Sequence, residues 1–283
     1  MLSEIQKLLS KAQEFLISYG LSESEAEHEA RLILAHLLKC APLEVYFRSL
    51  GEEQVSRFWS LVKERAKGVP LAYLLGEVEF YGYTFQIKPG VLIPRPETEI
   101  LVEETLKLAP FRGKVLELGL GSGCISLTLA LERPDLLLFG VEISPEALAV
   151  AMENRKRYHL EERVLWVRGD WFGPFKPAPF FDMIVSNPPY VSVSEWQKLS
   201  KEVREFEPPL ALVGGEEGLD FLADTLEKAP FYLKPRGFLL LEIGYRQADK
   251  IAELALRRGY EFYFVSDLSG IKRVFVGKWL AKI

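Results

Sequence analysis

Asn187-Pro188-Pro189-Tyr190 follows an apolar run from Phe181 to Val185 and combines residue types suited to gripping a planar amino group. The Asn187 side chain offers a carbonyl acceptor, while the two prolines remove backbone donors and keep the turn extended. An amide or base amine with two hydrogens could be held by the Asn187 side chain and the Pro188 carbonyl, with Tyr190 as an aromatic face beside it. The same stretch also reads as a strand running into a proline-rich turn. Two features favour chemistry: the chain has two asparagines, Asn154 and Asn187, and a glycine-rich loop lies upstream.

That loop is Glu117-Leu118-Gly119-Leu120-Gly121-Ser122-Gly123, between a predicted strand and a helix starting near Cys124. Glycines at alternate positions let the backbone turn sharply and approach a ligand closely. The spacing is G-x-G-x-G, not the G-x-G-x-x-G of a dinucleotide site, and Glu117 stands two residues before the first glycine. A carboxylate there would repel a pyrophosphate but could hold an ammonium, such as that of the amino-acid part of S-adenosylmethionine. A plain tight connection between strand and helix is the alternative. Glu142 ends the next strand, where a carboxylate is suited to accepting both hydroxyls of a ribose, or is simply a solvated acid. After the third strand, Asp170 and Trp171 could bracket an adenine by hydrogen bonding and stacking, although Trp171 reads equally as core. Cys124 has no nearby base and reads as packing.

The elements that must position these residues fall into two kinds. Ile5, Leu8, Leu9, Ala12, Phe15 and Leu16 predict an amphipathic helix over 3–18, and Ser22 with Glu25 forms a capping box for a second. Val55, Phe58, Trp59, Val62 and Ala66 repeat the pattern, so residues 1–72 are expected to form a small helical domain. His28 and His36 lie in its second helix without a metal-binding partner at i+4. Val78, Phe80, Tyr83, Phe85 and Ile87, broken by Gly82, predict a β-hairpin linker over 73–90. Ile93-Pro94-Arg95-Pro96-Glu97-Thr98-Glu99 is either a helix start or a rigid lip that brings Arg95 near a site.

From there to the end, a domain over 91–283 alternates strand and helix, with strands at 114–118, 137–143, 164–168, 181–186 and 237–243. Such alternation implies a largely parallel sheet with ligands at the carboxyl ends of its strands. Segments 260–265 and 272–276, flanking Asp267-Leu268-Ser269-Gly270, should close the sheet as a hairpin. A net charge of −5 argues against a protein that holds duplex nucleic acid mainly through phosphates. The two cysteines, Cys40 and Cys124, form no CxxC pair, so neither a disulfide framework nor a metal site is expected. With no basic leader and no apolar run of membrane-spanning length, the expectation is a cytoplasmic protein with no membrane association.

Together these residues resemble a class I, Rossmann-like methyltransferase dependent on S-adenosyl-L-methionine. Gly76-Glu77-Val78-Glu79-Phe80, the Pro-Arg-Pro segment, Asn187-Pro188-Pro189-Tyr190, and Phe206-Glu207-Pro208-Pro209 leading to Gly214-Gly215-Glu216-Glu217-Gly218-Leu219-Asp220 extend the resemblance to the HemK/PrmC family. Leu120 stands where that family usually has threonine, and Glu117 and Glu142 where aspartate is common. The resemblance implies a mostly parallel seven-stranded sheet and methylation of the glutamine in the Gly-Gly-Gln loop of peptide chain release factors, leaving S-adenosyl-L-homocysteine. It implies cofactor contacts at Glu117, Gly119, Leu120, Gly121, Ser122, Gly123, Glu142, Asp170, Trp171 and Asn187. Asn187, Pro188 and Tyr190 become catalytic, and these with Pro189 and Arg95 bind substrate. An adenine amino-methyltransferase of nucleic acid, a ribosomal-protein glutamine methyltransferase, and a non-catalytic cofactor-binding partner remain as alternatives.

Overall fold

The computed structural model describes residues 3–280, so the domain bounds expected at 1 and 283 lie outside the described residues. Two compact units emerge. One runs through Glu77 and takes in Lys201–Phe206; the other comprises Val78–Ser200 and the chain from Glu207 onward.

The helical unit contains α1 (Glu4–Ser18), α2 (Glu23–Leu38), α3 (Glu52–Ala66) and the short α4 (Leu71–Leu75). Capping boxes start both α1, at Ser3 and Gln6, and α2, at Ser22 and Glu25. The apolar stripes meet in a core containing Leu16, Ile33, Leu34, Phe58 and Val62. Arg65 of α3 is buried and bridges Glu29 at 2.5 Å and Glu202 at 3.0 Å, which ties the segment 201–206 to this unit. Burial opposes its charge, but the two carboxylates outweigh burial and raise its pKa.

The second unit opens with a hairpin, β1 (Glu77–Phe80) and β2 (Tyr83–Gln86). Phe80 and Phe85 project from it into the larger apolar core beside Val115 and Leu127. Truncating either ring would cost about 3–5 kcal/mol, so the hairpin is firmly seated on the sheet domain. The alternation follows as α5 (Glu99–Leu108), β3 (Lys114–Leu118), α6 (Cys124–Glu132), β4 (Leu137–Glu142), α7 (Pro145–Arg157), β5 (Val164–Arg168) and β6 (Phe181–Ser186). Then come α8 (Val193–Trp196), α9 (Lys201–Phe206, which belongs to the helical unit), α10 (Asp220–Lys228), β7 (Leu233–Glu242), α11 (Ala248–Arg258), β8 (Tyr260–Ser266) and β9 (Lys272–Trp279).

Seven strands form one sheet in the order β5-β4-β3-β6-β7-β9-β8. The first five run parallel, and β9 is antiparallel to both β7 and β8, so the expected closing hairpin forms. Because the chain winds outward from β3 through β4 to β5 and then returns to β6, the order reverses between β3 and β6. Their carboxyl ends therefore diverge into a crevice, the usual ligand position in an open parallel sheet. Both the glycine-rich turn after β3 and the Asn-Pro-Pro-Tyr turn after β6 open onto it.

Candidate active site

The wall of this crevice is built from four strand ends. A cleft is lined by Gly119 and Gly121 after β3, Glu142, Ile143 and Ser144 after β4, Asp170 and Trp171 after β5, and Asn187 and Pro189 after β6. Gly121 has φ +55° and no atom lies within 4 Å of where its Cβ would be, so its missing side chain leaves the turn open. Glu142 accepts from Gly121 N at 2.8 Å with one oxygen and from Ser144 N at 2.9 Å with the other. Each oxygen retains a second lone pair for a hydroxyl.

Trp171 is fixed from behind. Its Nε1 donates to Thr225 Oγ1 at 2.7 Å, and its ring lies tilted against Phe221, which also lines the cleft, at 5.0 Å between centroids. It is thus both wall and core, which resolves the two readings of its sequence into one position. Apolar walls with two carboxylates and an amide suit a ligand that carries an aromatic ring, hydroxyls and a cationic end.

Of the residues expected at a cofactor, Glu117, Leu120, Ser122 and Gly123 are not at the cleft wall. Glu117 is 1% exposed, and its carboxylate accepts from the backbone and hydroxyl of Ser126. Burial, the dominant influence, pushes its pKa up to about 8 against the pull of those hydrogen bonds. The register explains the difference from Glu142: Glu117 sits opposite Gly140, so Glu142 lies two residues, roughly 7 Å, nearer the carboxyl edge. Leu120 packs over Gly140, where a Cβ would fall 2.4 Å from its methyl group. Ser122 is buried and its carbonyl accepts from Asn154 Nδ2 at 2.9 Å, while Gly123 caps α6 with φ +79°. These residues shape the turn from beneath. Burial pushes the Cys124 thiol up to about 12, in keeping with a packing role.

A smaller cavity is lined by Leu92, Arg95, Pro188, Tyr190, Val191, Ala211 and Leu212, and again by Asn187. Asn187 therefore belongs to both cavities. Its Nδ2 donates to Thr98 Oγ1 at 3.1 Å, so Oδ1 is the end directed away from Thr98. Thr98 donates to Glu242 at 2.6 Å, and Tyr190 donates its hydroxyl to the same carboxylate at 3.0 Å. Burial, first, and then Glu242 drive the Tyr190 phenol far above its ordinary pKa, which keeps it a neutral donor. Arg95 is ion-paired with buried Glu207, whose other oxygen accepts from Ile93 N at 3.2 Å. The Pro-Arg-Pro segment is thereby anchored as a rigid lip.

Several of these residues escaped the sequence reading. Glu242 had a visible signal, since it is an acid at the end of an apolar strand like Glu117 and Glu142. Thr98 stands in what reads as a helix start, and Glu207 in the Phe206-Glu207-Pro208-Pro209 segment, where nothing local marks its pairing with Arg95. Gln247, which donates from Nε2 to the Tyr190 carbonyl at 2.9 Å and the Gly218 carbonyl at 3.0 Å, had no local signal. Asn154 is fully buried and bridges Gln86 to the glycine turn.

Residues 7–76 match the family described as PrmC N-terminal domain, and residues 95–204 that described as Methyltransferase small domain. A release factor glutamine methyltransferase of Aquifex aeolicus is 40% identical over 261 residues, covering 90% of this chain and 92% of its own. The chain belongs to the release factor glutamine methyltransferase family. Another member, from Geobacter sulfurreducens, is 41% identical over 276 residues, covering 97% of this chain and 96% of its own. A methyltransferase structure from Pyrococcus furiosus shares the fold alone, with TM-score 0.54 and 20% identity over 70% of this chain and 90% of that one. The topology switch between β3 and β6 thus belongs to a class I methyltransferase fold, in agreement with the resemblance carried by the strand-end residues together.

Proposed function

We propose that this chain transfers a methyl group from S-adenosyl-L-methionine to the side-chain amide nitrogen of the glutamine in the Gly-Gly-Gln loop of peptide chain release factors. The observation that carries this reading is the position of Asn187 in the walls of both the larger and the smaller cavity, with its Nδ2 engaged by Thr98. A group entering the smaller cavity meets an acceptor at the border with the larger one.

The larger cleft suits the cofactor. Glu142 would accept from ribose hydroxyls, Asp170 and Trp171 would meet the adenine, and Gly119 and Gly121 would give it close backbone approach. When bound, S-adenosyl-L-methionine supplies an electrophilic methyl carbon on a sulfonium. The protein's task is the nucleophile. An amide nitrogen is poorly nucleophilic because its lone pair is shared with the carbonyl. Acceptors at Asn187 Oδ1 and the Pro188 carbonyl would take both N–H bonds, fix the rotation of the amide and direct its nitrogen toward the larger cleft. Carbonyl dipoles also stabilise positive charge as it develops on nitrogen. The methyl carbon's bond to sulfur would break as its bond to nitrogen forms, leaving a neutral thioether, and the N-methylated amide, a strong acid while it keeps both hydrogens, would release one to water. Most of the gain comes from orientation, and no strong base is required.

Leu43 and Phe47 of the helical unit are 69% and 88% exposed. We infer that this unit, residues 1–72 by the sequence division, grips the partner protein, since a release factor must be held by a surface as well as by one side chain.

The test is labelled-methyl transfer to purified release factor, its Gln-to-Ala loop variant, ribosomal protein and nucleic acid in parallel. Label on the intact factor alone is the expected result, and label on nucleic acid or ribosomal protein alone overturns it. Asn187→Ala should abolish transfer while cofactor affinity measured by calorimetry is largely kept; wild-type turnover by that variant sinks the amide clamp.

A further inference from the structure

A side-chain amide has two ends of similar size and opposite hydrogen-bonding sense, and a site that receives an amino group must present the oxygen end. Nothing in the local sequence of Asn187 makes that choice. The Thr98 hydroxyl makes it, because it carries a single hydrogen. That hydrogen goes to Glu242 Oε2 at 2.6 Å, which leaves Thr98 Oγ1 able only to accept, and Asn187 Nδ2 donates to it at 3.1 Å. The other oxygen of Glu242 accepts from Tyr190 at 3.0 Å. One carboxylate thus anchors both ends of the Asn-Pro-Pro-Tyr turn. Glu242 and Thr98 are 1% and 2% exposed, so water does not compete for these bonds.

We propose that ionised Glu242, acting through Thr98, is the positioning residue that holds the Asn187 amide with its oxygen toward the substrate. This rests on the function proposed above and adds a condition to it. A protonated Glu242 has a hydrogen of its own. Donated to Thr98, it turns the hydroxyl toward Asn187, which must then offer its oxygen to Thr98 and its NH2 to the incoming NH2. Two donors face each other, and the clamp fails.

The groups around Glu242 set where this happens. Burial has the largest influence and raises its pKa; Thr98 and Tyr190 pull it down, Glu97 beside the lip raises it, and Arg273 on β9 lowers it. Arg273 is itself paired with Asp267 at 2.8 Å, and Arg95 acts on the neighbouring Tyr190.

The experiment measures kcat against pH on release factor for the wild type, Glu242→Gln, Thr98→Val and Thr98→Ser, with cofactor affinity by calorimetry. The wild-type kcat should fall on the acid side. Glu242→Gln and Thr98→Val should lose roughly ten- to a hundredfold in kcat, the scale on which an outer hydrogen-bond partner acts, and lose that acid limb. Cofactor affinity and KM should stay within about twofold, because orientation acts on the chemical step. Thr98→Ser, which keeps the hydroxyl, should recover most of the rate. Wild-type kcat in Thr98→Val, or an unchanged acid limb in Glu242→Gln, overturns the proposal. Should Glu242→Gln fail to fold, the isosteric Thr98→Val decides. A wild-type enzyme that labels no release factor refutes the proposed function instead, so the two failures are distinguishable.

Discussion

Gly218→Ala tests whether the Asn-Pro-Pro-Tyr turn acts as a rigid unit. Gly218 has φ +72°, and a Cβ there would lie 2.1 Å from the Tyr190 carbonyl oxygen. A relaxed carbon–oxygen contact needs about 3.3 Å, so roughly 1.2 Å of displacement must be found. Little of it can come from Gly218, whose carbonyl shares the Gln247 Nε2 donor with the Tyr190 carbonyl. The turn must move, and a shift of about 1 Å in a positioning element can cost roughly a hundredfold in rate. Left-handed backbone at a residue with a Cβ adds about 1–2 kcal/mol of strain, equivalent to roughly 2–8 °C in Tm for a unit of this size. Gly259→Ala separates these terms, since Gly259 has φ +80° at the end of α11 and no atom within 4 Å of its would-be Cβ. Gly218→Ala should lose more Tm than Gly259→Ala by scanning calorimetry, because its clash adds to the strain they share, and only Gly218→Ala should lose kcat in the labelled-methyl assay. Equal kcat in the two variants refutes the reasoning.

Glu142→Ala removes the acceptor of Gly121 N and Ser144 N. Hydrogen bonds to charged groups are worth about 1.5–3 kcal/mol each, so cofactor affinity by calorimetry should fall at least roughly tenfold; unchanged affinity removes its assigned role. Glu117 predicts a pH dependence of stability. Its pKa is about 8 when folded against 4.5 for the free side chain, so from pH 4.5 to 8 the unfolded chain releases a proton that the folded chain keeps. That contribution is fully present below pH 4.5 and lost as pH rises through 8, so Glu117→Gln should gain in Tm relative to wild type across this window. A difference that does not change with pH contradicts it. Replacing Leu43 and Phe47 with serine should raise KM for the whole release factor more than for a short peptide spanning its glutamine; equal effects contradict docking at the helical unit.

What was legible in the sequence is what lies at the ends of strands. Apolar runs that stop at an acid, a glycine or an asparagine mark the carboxyl edge of a parallel sheet, and Gly119, Gly121, Glu142, Asp170, Trp171 and Asn187 all reached the cleft wall. Glu117 shows the limit of that signal. Like Glu142 it closes an apolar run near a strand end, but the inter-strand register leaves it two residues deeper, against Ser126. Register is set by neighbouring strands and cannot be read from one of them. The pairing of Thr98 with Glu242 behind Asn187 was illegible for a related reason. Thr98 and Glu242 are 144 residues apart in the chain and meet only because α5 and β7 flank the same turn. Their side chains are ordinary for a helix start and a strand end.

The prolines that make the turn extended also explain why so many distant groups hold it. Pro188 and Pro189 have no N–H, so the turn cannot be secured by a ladder of its own donors. Its anchors come from outside: Thr98 and Glu242 hold the side chains of Asn187 and Tyr190, and Gln247 holds the Tyr190 carbonyl. Val191 donates to the Leu212 carbonyl at 2.8 Å and accepts from Gly214 N at 2.9 Å, which pins the exit of the turn to the segment after Glu207. Gly214 is required there because a Cβ would fall 2.2 Å from the Pro189 carbonyl oxygen. A flexible acceptor would have to be ordered each time an amino group arrived, and the ordering cost would oppose reaction. Fixing the acceptor with buried bonds from four separate segments incurs that cost once, on folding. The glycines after Val213 therefore serve the chemistry as much as the glycines after β3, although they line neither cavity.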